Sequence, residues 1–190
     1  PNTVACNALI TACERGGQWE WSLQLLNSTR MLPDEVSYNA AISACSSSEQ
    51  WERALGLMFG MRETGLCPSL ITCNAVLSAC EKGDQWEKAQ SLYVKLHEFG
   101  LTPDVVTYGV AISACSLRGW WVRALTLLLE MQELGIPSNA VVCNAAISAC
   151  AYGSGWTQAL ALASTMQHKD LDAVAFRALV NACGRCGQWA

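Results

Sequence analysis

The sequence lacks most features on which enzymes and membrane proteins depend. It has only two histidines, His97 and His168, and neither is matched by a nucleophile or by partner metal ligands. No apolar run is long enough to span a bilayer, and the N-terminal residues do not show the charged-then-apolar pattern of a signal peptide. No strand pattern occurs, so no glycine-rich phosphate loop can follow a strand. We therefore predict no catalytic activity, no cofactor and no metal site.

Positive charge is also scarce. The 12 Lys and Arg residues are outnumbered by 16 Asp and Glu residues, which gives a net charge of −4. Nucleic-acid-binding proteins usually have a basic balance, so the total charge argues against such a partner unless basic residues gather locally.

Cysteine, in contrast, is abundant, with 11 residues. Stacked helix pairs lie roughly 10 Å apart, which is too far for a disulfide whose Cα atoms must lie within about 7 Å. We therefore interpret most cysteines as small, buried and reduced core residues. The C-x-x-C spacing of Cys183 and Cys186 is interpreted as coincidence, because zinc would need four ligands. Six cysteines recur in one column: Cys13, Cys45, Cys80, Cys115, Cys150 and Cys183.

One repeated segment organises the chain: Asn74-Ala-Val-Leu-Ser-Ala-Cys80, a polar turn and Trp86. The Trp always lies 12 residues past the first position of the segment. The interval between copies is 35 residues three times, with shorter intervals of 32 and 33 near the two ends. Such a period indicates a solenoid of stacked helical units. The other copies begin at Asn7, Asn39, Gly109, Asn144 and Arg177.

Each copy predicts a first helix, a tight turn and a second helix. In the third copy we expect Thr72 to be the N-cap of a first helix that ends near Lys82. Gly83 and Asp84 should break that helix, with Asp84 capping the second helix, which begins at the Trp. We expect the tryptophan rings to be largely buried, either inside their own unit or against the next one. The predicted fold is all-α, a right-handed superhelical solenoid of helix-turn-helix repeats.

The repeats divide the chain into units. No polar capping helix follows Trp189, so we expect the chain to be a segment of a longer array. The predicted units are residues 3–34, 35–69, 70–104, 105–139, 140–172 and an incomplete unit at 173–190.

Particular residues of these units resemble the 35-residue motif of the pentatricopeptide repeat family. They are Asp104-Val-Val-Thr-Tyr108 before a first helix, Ala124-Leu125 and Met131 in a second helix, and the exit Gly100-Leu-Thr-Pro-Asp104. The resemblance covers the whole chain. The tetratricopeptide motif fits less well, because its period is 34 residues.

This resemblance implies binding of single-stranded RNA in an organelle, chloroplast or mitochondrion, with one nucleotide per repeat. In the family, a base edge is read by a residue near the start of the first helix, here placed at about its second position, together with the last residue of the repeat. The implied pairs are Asn7 with Asp34, Asn39 with Ser69, Asn74 with Asp104, Gly109 with Asn139, and Asn144 with Asp172. The pairing implies a preference for 5′-U-C-U-x-U-3′.

The resemblance also implies a base-flanking residue three positions before each reading residue. These residues are all β-branched and therefore stiff, which suits contact with a ring face. They are Val4, Val36, Ile71, Val106, Val141 and Val174.

A structural interpretation of the same residues remains open. An Asn near a helix start can be a local hydrogen-bonding residue, an Asp before a helix can complement the helix dipole, and a Val can simply pack. The basic residues near the ends of the first helices are the candidate phosphate contacts, set against only Glu14 and Glu81 on those helices, but they could equally form a solvated face. These basic residues are Arg15, Lys82, Arg118 and Arg185.

Two functions therefore remain. The first is sequence-selective binding of single-stranded RNA in organellar RNA processing, stability or translation. The second is a non-catalytic scaffold that holds a protein partner within a larger organellar complex. The acidic total charge and the Gly109 position favour the scaffold, whereas the regular polar pairs and the β-branched column favour RNA.

Overall fold

A computed structural model of the protein describes residues 3–28, 33–165 and 172–185. Within these ranges every regular element is a helix, so the predicted all-α class is confirmed. None of the described helices is long and apolar enough to cross a membrane. The helices are α1 (Thr3–Arg15), α2 (Trp19–Ser28), α3 (Glu35–Ser47), α4 (Trp51–Glu63), α5 (Leu70–Lys82), α6 (Trp86–Glu98), α7 (Val105–Arg118), α8 (Trp121–Glu133), α9 (Ala140–Tyr152), α10 (Trp156–Thr165) and α11 (Ala173–Arg185).

The helices belong to two compact units, Pro1–Thr102 with α1 to α6 and Pro103–Ala190 with α7 to α11. In the first unit α3 packs against α1 on one side and against α5 on the other. In the second unit α9 packs in the same way between α7 and α11. The second helices α2, α4, α8 and α10 each contact the first helix on either side of them in the chain. This is the stacking of a helical-repeat solenoid within each unit.

The recurring cysteine column contributes to the core of both units. Cys45, Cys80, Cys115 and Cys150 are buried. Burial raises the pKa of each of these thiols to about 11. They are therefore protonated and poorly nucleophilic at neutral pH, as expected of small core residues.

The remaining cysteines are less uniform. Cys13 and Cys183 of the same column are only partly buried, and Cys67, which lies outside the column, is exposed. Cys186, the second residue of the C-x-x-C spacing, lies outside the described residues.

The first helices begin earlier than the sequence predicts. The prediction that Thr72 is an N-cap is wrong, because α5 begins at Leu70 and its N-cap is Ser69. Thr72 is the third residue of the helix, and its backbone N–H donates to Ser69 Oγ. Ser and Thr are both good caps, so the sequence Ser-x-x-Thr alone does not decide between them.

The turn between the two helices of a repeat also differs from the prediction. Asp84 has a φ of 54°, and the N-cap of α6 is Gln85, which makes no side-chain cap bond. Two residues before Trp19, Trp51 and Trp121, the residues Gly17, Glu49 and Gly119 have the same left-handed conformation, with φ of 64°, 59° and 66°, whereas Ser154 before Trp156 does not. Asp84 therefore takes part in the turn in the same way as these three residues and is not the helix cap.

The tryptophans begin the second helices, as the repeat predicts, and the prediction that they are largely buried is confirmed: only a smaller part of each side chain is exposed. The ring of Trp51 lies against Gly83, at the end of the next first helix, so closely that a Cβ there would clash. Trp121 lies in the same way against Gly153 and Gly155. Each of these two rings therefore covers the turn of the following repeat.

Candidate functional site

The last residue of each predicted complete repeat caps the next first helix; we call these five positions the cap residues. The side chains of Asp34, Ser69, Asp104 and Asn139 each accept a hydrogen bond from the backbone N–H of the third helix residue. Asp172 Oδ1 accepts from the N–H of Ala175 at 2.7 Å. A helix leaves its first N–H groups without an internal acceptor, and a polar cap supplies one. These five residues therefore cap helices, whatever else they contact.

The reading residues lie deeper in the first helices than predicted. Asn39 is the fifth residue of α3, and Asn74 is the fifth residue of α5. The expected second position was wrong because the helices begin directly after the cap residues. The fifth residue lies one helical turn from the second, so Asn39 and Val36 share a face of α3.

At the first junction, where α1 meets α3, the predicted pair is in direct contact. Asn7 Nδ2 donates to both carboxylate oxygens of Asp34, at 3.1 Å each. The hydroxyl of Ser37, which has one proton, lies within hydrogen-bond distance of two acceptors, Asn7 Oδ1 and, at 2.9 Å, Asp34 Oδ1. The amide, the carboxylate and the hydroxyl thus form a closed polar cluster between neighbouring repeats.

This cluster controls the charge of the Asp34 carboxyl. Partial burial acts to raise its pKa, but hydrogen bonds from Ser37 N–H, from the Ser37 hydroxyl and from Asn7 outweigh it. The net pKa lies below the ordinary value, because these donors bind the ionised form more strongly than the neutral one. Asp34 is therefore a carboxylate, and only an acceptor, at neutral pH.

At the second junction, where α3 meets α5, the third helix residue again connects the predicted pair. Thr72 Oγ1 donates to Asn39 Oδ1 at 2.6 Å. The backbone N–H of Ser69 donates to Thr72 Oγ1 at 3.2 Å, and the two hydroxyl oxygens lie 3.2 Å apart. Ser69 and Asn39 are thus both hydrogen-bonded to Thr72.

The members of the third predicted pair, Asn74 and Asp104, lie in different units. Asn74 is half-buried on α5. Asp104 caps α7, where its Oδ1 accepts from the N–H of Thr107 at 2.8 Å and from the Thr107 hydroxyl at 2.9 Å.

The fourth junction, where α7 meets α9, has no such polar cluster. Gly109 has no side chain, and Val142 occupies the position that Ser37 and Thr72 hold at the other junctions. A Cβ added at Gly109 would lie 3.6 Å from Val142 Cγ2, an ordinary van der Waals contact. Asn139 is exposed and caps α9 through the N–H of Val142 at 2.9 Å.

At the fifth junction, where α9 meets α11, Asn144 is buried, with 6% of its surface exposed. Asp172 is exposed and caps α11. The third residue of α11 is Ala175, which carries only a methyl group.

The β-branched column is exposed throughout, at the second position of each first helix. Such a regular exposed column leaves these apolar side chains accessible to a ligand. The exposed fractions are 72% for Val4, 56% for Val36, 70% for Ile71, 53% for Val106, 71% for Val141 and 50% for Val174.

The candidate phosphate contacts lie in the last turns of the first helices. Arg15, Lys82 and Arg118 are exposed at the ends of α1, α5 and α7. The side chain of Arg185 lies outside the described residues. Within the described ranges no group of three or more His, Cys, Asp or Glu residues could hold a metal ion.

Sequence reasoning missed Ser37 and Thr72, the residues that join neighbouring repeats. Their contacts with Asn7 and Asn39 span 30 and 33 residues, so they are invisible within one repeat. A signal was nonetheless present in the sequence. Ser37 and Thr72 follow repeats that carry Asn, and Val142 follows the repeat that carries Gly109, although Ala175 follows the repeat that carries Asn144.

All the family models that match the sequence describe pentatricopeptide repeats. The "PPR repeat family" matches residues 68–117, the "PPR repeat" matches residues 4–30 and 106–136, and the "Pentatricopeptide repeat domain" matches residues 23–83. These ranges overlap and together cover residues 4–136, well over half of the chain. No curated protein matches the sequence.

Solved structures of pentatricopeptide repeat proteins are also similar. PPR10 in complex with an 18-nt psaJ RNA element matches with a TM-score of 0.78 and 26% identity over 98% of this chain. PPR10 from maize matches with a TM-score of 0.72 and 25% identity over 97% of this chain. The chain spans 28% of the RNA-bound PPR10 and 27% of the maize PPR10 structure.

A more distant likeness extends to another member of this fold. The PPR domain of Arabidopsis thaliana protein-only RNase P 1, in complex with tRNA, matches with a TM-score of 0.75 but only 15% identity. The match covers 93% of this chain and 96% of that domain. At that identity the likeness concerns the fold alone.

Proposed function

Because the chain belongs to the pentatricopeptide repeat family, we propose that it binds single-stranded RNA, with the cap residues, the fifth-position amides and the β-branched column of each unit as the contacting residues. The exposed column is the observation that carries this proposal. Six stiff apolar side chains, each at least half exposed, recur one helical turn before the reading position. Unpaired RNA offers ring faces and base edges together, so a stiff apolar residue beside a hydrogen-bonding one suits it.

The pairs suggest how one base would be distinguished from another. An Asp carboxylate only accepts hydrogen bonds, so it matches uracil, whose ring N3 carries a hydrogen. A Ser hydroxyl can also donate, so it can match the unprotonated N3 of cytosine, directly or through a water molecule. With Asp34, Ser69, Asp104 and Asp172 as partners, the proposed preference is 5′-U-C-U-x-U-3′. The x falls on the repeat that carries Gly109 and Asn139.

We expect the exposed cations at the ends of the first helices to hold the RNA backbone. These are Arg15, Lys82 and Arg118, with Arg185 at the equivalent position of the incomplete sixth repeat. Because the chain has a net charge of −4, binding should be modest and strongly dependent on salt. The proposed setting is an organelle, chloroplast or mitochondrion, and the proposed role is non-catalytic recognition of RNA. These residues bind and orient, and no chemical step is assigned to them.

The first test separates RNA binding from the scaffold alternative. The protein is incubated with a pool of short single-stranded RNAs at two salt concentrations, and the retained RNAs are sequenced. We expect retention that weakens with salt and an enriched pyrimidine pattern. No retention at low salt would favour the protein-binding scaffold instead.

The second test exchanges one base preference and leaves the fold intact. Ser69→Asp should shift the second position from C towards U by a factor that corresponds to about 1–3 kcal/mol, by analogy with base readout elsewhere. Asp34 and Asp104 already cap equivalent helices, so the substitution preserves the helix start. An even change in affinity for all RNAs would show that Asn39 and Ser69 are only structural.

A further inference from the structure

We infer that the hydroxyl at the third position of the following first helix is a positioning residue, which fixes which end of the reading amide faces the RNA. These hydroxyls are Ser37, which acts on Asn7, and Thr72, which acts on Asn39. The inference rests on the proposed RNA binding and names residues outside the proposed reading pairs.

The second junction shows how the orientation is fixed. The N–H of Ser69 donates to Thr72 Oγ1, so an acceptor site of this hydroxyl is occupied by the helix cap. Its single proton is directed at Asn39 Oδ1, 2.6 Å away. The amide oxygen of Asn39 is therefore held against α5, and Nδ2 must lie on the other side of the amide group, where it can donate.

The first junction gives the same orientation from different chemistry. The Asp34 carboxylate can only accept, so the Asn7 atom that contacts it must be Nδ2. The atom that contacts Ser37 is then Oδ1, as at the second junction. At both junctions, which have different cap residues, the amide oxygen contacts the third-position hydroxyl and the nitrogen lies on the side of the amide away from that hydroxyl.

This orientation matters because rotation of an amide by half a turn exchanges a donor for an acceptor. With Nδ2 facing the RNA, the side chain matches the carbonyl oxygen of a pyrimidine. With Oδ1 facing the RNA, it would match an exocyclic amino group instead. The hydroxyl therefore contributes to the choice of base without touching the base.

The test for this role uses Thr72→Val, which keeps the shape of the side chain and removes the hydroxyl. Affinities are measured for RNAs that differ only at the second position. The net worth of one hydrogen bond predicts a three- to tenfold loss of pyrimidine preference there, with the other positions unchanged. Thr72→Ser keeps the hydroxyl and should keep the preference. In the Asn39→Ala background, Thr72→Val should have no further effect on base choice.

A second measurement does not need RNA. The side-chain amide of Asn39 should give a rigid NMR order parameter in the native protein and in Thr72→Ser, and a mobile one in Thr72→Val. A rigid amide in all three proteins would overturn the inference even if RNA binding is selective. A mobile amide in Thr72→Val, in a protein that selects no base, would instead disprove the proposed function.

The fourth junction, which lacks both the amide and the hydroxyl, allows the pair to be introduced by mutation. Gly109→Asn introduces the amide, and the added Cβ would meet Val142 Cγ2 at an ordinary 3.6 Å. The double variant Gly109→Asn with Val142→Thr should gain a pyrimidine preference at the fourth position, three- to tenfold above that of Gly109→Asn alone. Val142→Thr alone is the matched control and should gain none, because no amide is present. Equal preferences in the single and double variants would contradict the positioning role.

Discussion

At the second and fourth junctions equivalent first helices stack, α3 on α5 and α7 on α9, but the side chains between them differ. At the second junction, Thr72 joins the cap residue Ser69 to the amide of Asn39 through hydrogen bonds. At the fourth, a buried Val142 faces Gly109, and both the amide and the hydroxyl are missing. The helices nevertheless pack as neighbours in both places.

This difference shows that the polar connection is not needed to stack repeats. A partly buried amide and hydroxyl must hydrogen-bond to each other to offset the cost of their desolvation. The pair therefore adds little stability beyond that of a Val and a Gly at the same positions. Both members are replaced at once at the fourth junction, which avoids a buried polar group without a partner. The polar connection therefore fits a role in recognition better than a role in stability.

The largest effect that we predict is on stability and concerns the apolar packing beside the fourth junction. Trp121 packs against the turn at Gly153 and Gly155 and against the core cluster around Ile147. Trp121→Ala should lower the free energy of unfolding by about 3 kcal/mol, because it leaves a cavity beside the fourth junction. Chemical denaturation measured by helical circular dichroism checks this value.

The matched control for that variant is Trp21→Ala. The Trp21 side chain is 60% exposed, so its removal should change stability by less than about 0.5 kcal/mol. Equal losses in the two variants would mean that apolar packing does not hold the fourth junction together.

A smaller effect is expected in the turns that follow α3 and α7. Glu49 adopts a φ of 59°, whereas the fourth repeat has Gly119 at that place, with a φ of 66°. Glu49→Gly should stabilise the first unit by about 1 kcal/mol, because a side chain in the left-handed region carries a steric cost. Thermal unfolding provides the measurement. The opposite change, Gly119→Ala, should destabilise, since a Cβ there would lie 3.0 Å from the backbone N of Gly153.

The smallest effect concerns a charged cap and a neutral one, Asp34 and Asn139. The pKa of folded Asp34 lies below its ordinary value, so its carboxylate stabilises the fold above the ordinary aspartate pKa of about 3.9. That contribution is lost as the pH falls through the lower pKa of the folded state. Asp34→Asn should therefore be nearly neutral at pH 7, because Asn caps well, and should flatten the decline in stability below about pH 4. Urea unfolding across the acid range checks this, and an unchanged acid profile would contradict it.

The repeat period predicted the helices well because it depends on positions that every copy shares. Cys73, Val76 and Leu77 are fully buried on the predicted face of α5. The start of that helix was predicted wrongly, at Thr72 instead of Leu70, because Ser69 and Thr72 are both competent caps and the sequence alone does not decide between them.

The candidate site was only partly predictable from the sequence. The contact of Asn7 with Asp34 follows from a fixed spacing, whereas the role of Thr72 follows from the packing of two repeats. The sequence also placed the tryptophans correctly at the helix starts and predicted their burial. The close approach of glycines in the next turn, which covers the rings of Trp51 and Trp121, depends on tertiary packing.

Each cap residue begins a helix and, as proposed, also contacts a base, and the first role restricts the residue types that can serve the second. Each cap residue must begin a helix before it can contact anything else, so the residue types allowed there are those that cap well: Asp, Asn, Ser, Thr and Gly. All five cap residues of this chain belong to that set: Asp34, Ser69, Asp104, Asn139 and Asp172. To place any other residue type at this position, a designer would first have to provide another acceptor for the N–H groups at the start of the helix.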